Sequence, residues 1–179
     1  MPLVRGKHIN VLFSSEEIAA RNHALAQEIM ASNMENPLVI SVLKGSFVFA
    51  ADLIRSLHTV GMSPEVDFIS ISSYGSGTEA KQPKVLRDVE SDVRGRDVLL
   101  IDDILESGGT LSFARNLMVE RGANRVSVVV LLDKTMRRKS QISAEFTGFQ
   151  CPDKFVVGYG MDVGHAFREL PFVGEVVEA

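Results

Sequence analysis

The chain has 179 residues but one cysteine and no tryptophan, and its longest apolar runs are only strand-sized. With Cys151 alone, no disulfide can close within the chain, and a reducing compartment is the simplest setting. The run from Val126 to Leu132 falls far short of the roughly 20 residues that span a bilayer. The first eight residues lack the apolar centre of a secretory signal, so a cytoplasmic protein is expected. There is no excess of positive charge, since the formal net charge is −4, and hence no electrostatic case for nucleic acid or an anionic membrane as partner. The four histidines are scattered and no H-E-x-x-H occurs, which argues against zinc. No G-K-[ST] occurs either, which excludes a P-loop.

What is present reads as one domain with a substantial core, 45% hydrophobic and 23% charged. Ser14-Ser-Glu-Glu17 is a capping box opening a helix that carries Ile18, Leu25 and Ile29. Leu38 to Leu43 reads as a strand. A second helix starts at Gly45-Ser46, with Phe47, Ala50, Ile54 and Leu57 on one stripe, and stops at Gly61. Val66 to Ser72 alternates apolar and polar residues, as a strand with two unlike faces does. Val98 to Ile101, Val126 to Leu132 and Phe155 to Val157 are near-continuous apolar runs, the habit of parallel strands covered on both faces. Alternating strands and helices predict an α/β fold: a doubly wound, mostly parallel sheet flanked by helices, with ligands at the carboxyl ends of the strands. The expected core spans about 38–168. A small N-/C-terminal lobe is expected from about 1–36 and 169–179. Ser72 to Lys84, rich in Ser, Gly and charge, reads as a mobile active-site loop. Within it Gly75-Ser-Gly-Thr-Glu-Ala80 mimics a dinucleotide fingerprint, but no helix can follow before Pro83 to receive a pyrophosphate.

The segment that carries chemistry is Val98-Leu-Leu-Ile-Asp102-Asp103-Ile-Leu-Glu106-Ser107-Gly108-Gly109-Thr110. A buried strand ends in two carboxylates, a loop of small residues follows, and Leu111 to Arg121 has helical periodicity. A helix start offers unpaired N–H groups and the positive end of the dipole, which suits a phosphate. Gly108 and Gly109 place nothing in the anion's way, and Ser107 and Thr110 add hydroxyl donors. Asp102 and Asp103 repel phosphate, but they can accept from ribose hydroxyls or hold Mg²⁺. Together the two halves fit a ribose carrying a 5′-phosphate.

This segment resembles the phosphoribosyl-pyrophosphate motif of the type I phosphoribosyltransferases. Lys44-Gly45, Ser73-Tyr74, Lys134 and Phe155-Val-Val-Gly-Tyr-Gly-Met-Asp162 resemble the hypoxanthine-guanine branch of that family, in the family's order, from about Val39 to Arg168. The resemblance implies the type I phosphoribosyltransferase fold. It also implies purine salvage: transfer of phosphoribosyl from its pyrophosphate to hypoxanthine or guanine, giving IMP or GMP and pyrophosphate. Lys44 and Gly45 would meet the pyrophosphate through backbone amides, with a non-proline cis peptide at that dipeptide left open. Arg168 would be the pyrophosphate arginine, and Ser73 and Tyr74 would begin a loop that closes over the substrates. Mg²⁺ is the implied cofactor, held by Asp162, Asp102 and Asp103 directly or through water. Lys134 would contact the 6-oxygen of the purine, Phe155 would stack on the base, and the backbone at Val156 and Asp162 would read its other edge. Glu106 stands where the family usually has Asp, placed as a general acid/base near the base; the carboxylate is kept but its reach is longer.

Two alternatives accompany that reading. A xanthine-preferring or broad 6-oxopurine enzyme differs only at backbone positions that sequence does not resolve. A fold-sharing regulator that binds nucleic acid has only Lys134-Thr-Met-Arg137-Arg138-Lys139 in its support, against the net charge. The resemblance further implies small-molecule partners alone, neither nucleic acid nor membrane, and a homodimer or homotetramer.

Overall fold

The computed structural model describes residues 1–72 and 83–177. Its strands are β1 (Leu3–Val4), β2 (Lys7–Phe13), β3 (Leu38–Leu43), β4 (Glu65–Ser72), β5 (Lys84–Arg87), β6 (Asp97–Leu105), β7 (Arg125–Asp133), β8 (Phe146–Gln150), β9 (Val156–Val157) and β10 (Val173–Val177). The helices are α1 (Ser15–Ala31), α2 (Phe47–Thr59) and α3 (Gly109–Glu120), with a 3₁₀ turn over Thr135–Arg137.

The main sheet runs β5-β4-β3-β6-β7-β8. Five of its strands are parallel, and β5 returns antiparallel to β4. Apolar residues alternate sides along the central strands. Val39, Leu99, Ile101, Val129 and Leu131 face one layer with Ile18, Leu25, Ile29, Phe49, Leu53 and Leu57 of α1 and α2. Ile40, Val42, Val98, Leu100, Val128 and Val130 face the other, with Leu111, Ala114 and Met118 of α3. Both faces are covered, and that is why these strands read as near-continuous apolar runs.

The winding direction reverses between β3 and β6. From β3 the chain crosses through α2 outward to β4; from β6 it crosses through α3 outward to β7 on the other side. Crossovers on opposite faces leave a crevice beyond the carboxyl ends of those two strands. The residues there are Lys44-Gly45 after β3 and Asp102 to Glu106 at the end of β6.

A second, antiparallel sheet is ordered β1-β2-β10-β9. It corrects one strand assignment. Phe155 to Val157 does not join the parallel sheet; Val156 and Val157 pair antiparallel with β10. They are buried because they lie at the junction of the two sheets, not within a doubly covered layer. The parallel edge is taken instead by β8, whose sequence Phe-Thr-Gly-Phe-Gln has no apolar run and is half-exposed. Helix α1 also departs from the expected terminal lobe, since it packs on the main sheet beside α2.

The capping box at the start of α1 is formed in both directions. The Glu17 amide donates to Ser14 Oγ at 3.2 Å, and the Ser14 amide donates to Glu17 Oε2 at 2.8 Å. Ser14→Ala removes one of these caps and is expected to cost about 1 kcal/mol. In urea unfolding the midpoint falls while the slope m stays constant.

Candidate active site

Two adjoining clefts open at the reversal between β3 and β6. The first, about 290 Å³, is lined by Lys44, Gly45, Asp102, Asp103 and the loop Glu106 to Gly108 with Thr110. The second, about 600 Å³, shares Lys44, Gly45, Asp103 and Glu106 and adds Lys134, Arg137, Phe155, Val156, Asp162 and Arg168. Residues scattered from 44 to 168 in sequence thus line one continuous depression. Gly109 lies just outside it, in the first turn of α3. Ser73 and Tyr74, and the expected closing loop through Gln82, fall outside the described residues; the flanks Ser72 and Lys84 belong to β4 and β5.

The floor of the first cleft is a close approach of main chain. A β-carbon on residue 45 would lie 1.9 Å from Asp103 Oδ2, so only glycine lets that carboxylate sit there. Behind it, a β-carbon at Gly160 would lie 2.2 Å from the Gly45 carbonyl oxygen. The non-proline cis peptide is present, but it joins Leu43 to Lys44, one bond before the dipeptide suggested by the sequence. Beside it α3 begins at Gly108, which has φ +84°. Unlike α1, it has no side chain capping its N-terminal amides among the described residues. An uncapped helix start facing a cleft is suited to an anion.

The acidic pair is half-buried at the end of β6. Burial, and next the charge of Asp103, push the Asp102 carboxyl well above the usual carboxylate range. Asp103 is raised too, by burial, against the opposing pull of its hydrogen bonds and of Arg168. The Ile104 amide donates to Asp103 Oδ1 at 2.8 Å. Two adjacent carboxylates held this way are suited to a hard dication. Mg²⁺ needs only one or two protein carboxylates when phosphate oxygens and water complete its shell. A cage of three acidic, His or Cys side chains is absent among the described residues. Asp162 is engaged otherwise: its Oδ1 lies 2.8 Å from Arg168 Nη2, and its Oδ2 accepts from the His165 amide at 2.7 Å. Arg168 also donates to the Gly160 carbonyl at 2.5 Å, which ties it to the main-chain floor.

The second cleft is lined with a different chemistry. Lys134 follows β7 and is buried, its amide donating to the Leu105 carbonyl at 2.9 Å. Its ammonium lies 3.8 Å from Glu106 Oε1. The Phe155 ring is 62% exposed on the rim, while Val156 beside it is buried. A large apolar ring left in water at the mouth of a polar cleft is a surface made for a flat partner. The basic run divides. Arg138 turns inward, pairing with Asp133 and donating to the carbonyls of Leu105, Glu106 and Ile142, so its charge braces the loop that carries Glu106. Arg137 reaches the cleft. In the sequence it is one member of a charged run, and nothing local distinguishes it from its neighbour.

The acidic pair makes a pH-dependent difference between parent and variant. A carboxyl whose folded value is raised binds its proton in the native state at pH values where the unfolded chain has lost it. Stability therefore falls as pH rises from the ordinary carboxylate range through the raised value. Asp102→Asn, uncharged and nearly isosteric, removes that loss. In metal-free buffer its Tm is expected to exceed the parent's at pH 8, with the gap closing toward pH 4. A gap independent of pH would contradict the raised Asp102 carboxyl.

Comparison with known proteins agrees with this geometry. Residues 8–163 match the phosphoribosyl transferase domain family. The hypoxanthine phosphoribosyltransferase of Escherichia coli K12 is 41% identical over 176 residues, 96% of this chain and 97% of that one. The hypoxanthine-guanine phosphoribosyltransferase of Bacillus subtilis 168 is 43% identical over 166 residues, covering 92% and 91%. A crystal structure of a hypoxanthine-guanine phosphoribosyltransferase from Bacillus anthracis superposes with a TM-score of 0.88 at 42% identity, covering 95% of this chain and all of that one. With its crevice at the winding reversal and its acidic pair before an uncapped helix, the chain belongs to the phosphoribosyltransferase family.

Proposed function

We propose that this protein joins hypoxanthine or guanine to the ribose of phosphoribosyl pyrophosphate, releasing pyrophosphate and IMP or GMP, as a purine-salvage enzyme. The observation that carries the reading is the sharing of Lys44, Gly45, Asp103 and Glu106 between an anion-suited cleft and an aromatic-rimmed one. The 5′-phosphate takes the start of α3, with Ser107, Gly108, Gly109 and Thr110 around it. Asp102 and Asp103 accept from the ribose hydroxyls. Lys44, Gly45 and Arg168 receive the leaving pyrophosphate. Asp102 and Asp103, with Asp162 directly or through water, would hold Mg²⁺, which would supply charge neutralisation for the leaving pyrophosphate. Asp162 holds Arg168 in place and offers its backbone to the base. The lone buried Cys151 and the absence, among the described residues, of any helix able to cross a membrane fit a cytoplasmic setting.

Base selection follows from donor count. Lys134 presents an ammonium with three donors and no acceptor, which matches a 6-oxo group and leaves a 6-amino group unsatisfied. A buried polar mismatch of that kind gives strong rejection. Phe155 stacks on the base, and Glu106, beside Lys134, handles a proton on it as the new bond forms.

The test is a base panel: protein, Mg²⁺ and phosphoribosyl pyrophosphate with hypoxanthine, guanine, xanthine or adenine, nucleotide formation being followed. Product with hypoxanthine and guanine and none with adenine is expected; product with adenine alone would overturn the reading. Lys134→Ala is expected to raise KM for the base about 10- to 100-fold, the value of one charged hydrogen bond, while KM for phosphoribosyl pyrophosphate moves less than about twofold.

Phe155→Ala removes the stack and is expected to weaken base binding by about 1 to 3 kcal/mol. Because that ring is 62% exposed, Tm should stay at the parent's value, which separates a binding role from a core one.

A further inference from the structure

Glu106 has one more rotatable bond than aspartate, and its side chain is 37% exposed, so packing alone does not fix its carboxylate. What meets it is a pair of cations on a single oxygen. Lys134 Nζ lies 3.8 Å from Oε1, and Arg137 Nη1 lies 3.5 Å from the same atom. The Arg137 guanidinium is itself anchored, since its Nε lies 2.7 Å from Asp153 Oδ1. Arg137 ends the 3₁₀ turn after β7, and Asp153 stands two residues before Phe155. One guanidinium therefore links three separate pieces of the second cleft: the Glu106 loop, the turn that carries Lys134, and the segment that presents Phe155.

We infer that Arg137, held by Asp153, is a positioning residue for Glu106, fixing the longer carboxylate beside Lys134 where the base binds. The inference rests on the proposed reaction, in which Glu106 handles a proton on the purine. The shortest contact of each cation falls on Oε1, so both draw the carboxylate to the same side of the cleft. Arginine suits the task because its planar fork presents Nε to one carboxylate and Nη1 to another at the same time, whereas a lysine ammonium has a single point of charge. With the Arg137 side chain 61% exposed, its pair with Glu106 is screened in the free protein. A base covering the cleft excludes water and strengthens it when the geometry is needed. The effect then belongs to the chemical step, not to binding of the phosphate-bearing substrate.

The experiment is a double-mutant cycle on the full chain with hypoxanthine and phosphoribosyl pyrophosphate, comparing parent, Arg137→Ala, Glu106→Asp and the double variant. Parent turnover is measured first; its absence would overturn the proposed reaction and the inference with it. Arg137→Ala is expected to lower kcat about tenfold, part of the 10² to 10⁴ that a positioned acid/base supplies. KM for phosphoribosyl pyrophosphate stays within about twofold, and Asp153→Asn gives the same pattern in milder form. In the Glu106→Asp background the shorter carboxylate no longer reaches the guanidinium, so adding Arg137→Ala changes kcat less than about twofold. Equal losses in both backgrounds would show that Arg137 acts on the base or on the fold, and would overturn the inference while leaving the reaction intact. No loss of kcat in Arg137→Ala would overturn it as well.

Discussion

The site depends on an absent side chain. Asp103 Oδ2 occupies the space a β-carbon on residue 45 would need, and the Gly45 carbonyl fills the corresponding space at Gly160. The end of β3, the end of β6 and the turn after β9 therefore interlock through main chain and one carboxylate, with nothing between them. Lys44, the acidic pair and Arg168 are brought together by that stacking, since Arg168 is fastened to the Gly160 carbonyl and Asp162 is fastened to Arg168. Any residue larger than glycine at position 45 must displace the Asp103 carboxylate from its place, so the geometry of the phosphate end is set by sterics before any charge is counted.

The two ends of β6 show what the site costs. Asp97, at the start of the strand, is nearly inaccessible, yet it accepts from the Glu35 amide, Asn124 and Arg125 at 2.7 to 2.9 Å. Burial alone would raise its carboxyl, but those donors win and hold it below the usual range. Asp102 and Asp103, at the other end, have each other, and both are raised. The same strand thus carries a carboxylate met by three donors and a pair met by fewer, the Asp103 amide at Asp102 Oδ1 and the Ile104 amide at Asp103 Oδ1. Carboxylates that the fold leaves short of donors are those that hydroxyls or a dication can complete.

How much of this the sequence discloses follows from where each feature's cause lies. The strands β3, β6 and β7 are legible because both faces are covered and their central stretches are almost entirely apolar. The acidic pair, the small-residue loop and α3 are legible because their chemistry is local, and the capping box of α1 because its two partners are three residues apart. β8 is not, since an edge strand is half-exposed and Gly148 lies against the Leu131 carbonyl, a contact invisible before folding. Phe155 to Val157 is apolar for other reasons than a parallel strand: Val156 and Val157 are buried where the two sheets meet, and Phe155 is exposed at the cleft rim. Arg137 and Arg138 are adjacent in a plain basic run, and only tertiary contacts send one inward to brace a loop and the other to the cleft.

The two clefts are also built to different stiffness. The phosphate end is held by main-chain contacts, glycine close approaches and a helix start, all of which leave few rotamers to choose among. The base end is assembled from loops, each contributing one side chain: Glu106 after β6, Lys134 and Arg137 after β7, Phe155 before β9. These are joined by ion pairs of 2.7 to 3.8 Å whose members, apart from buried Lys134, remain open to solvent in the free protein. Exposed pairs contribute little by themselves and gain strength only as water is removed. On the proposed function, a base that fits would displace that water and tighten the arrangement, whereas a base presenting a donor to Lys134 would leave an ammonium unsatisfied. On that reading, discrimination between bases resides in the softer half of the site, and the phosphoribosyl donor is held by the rigid half.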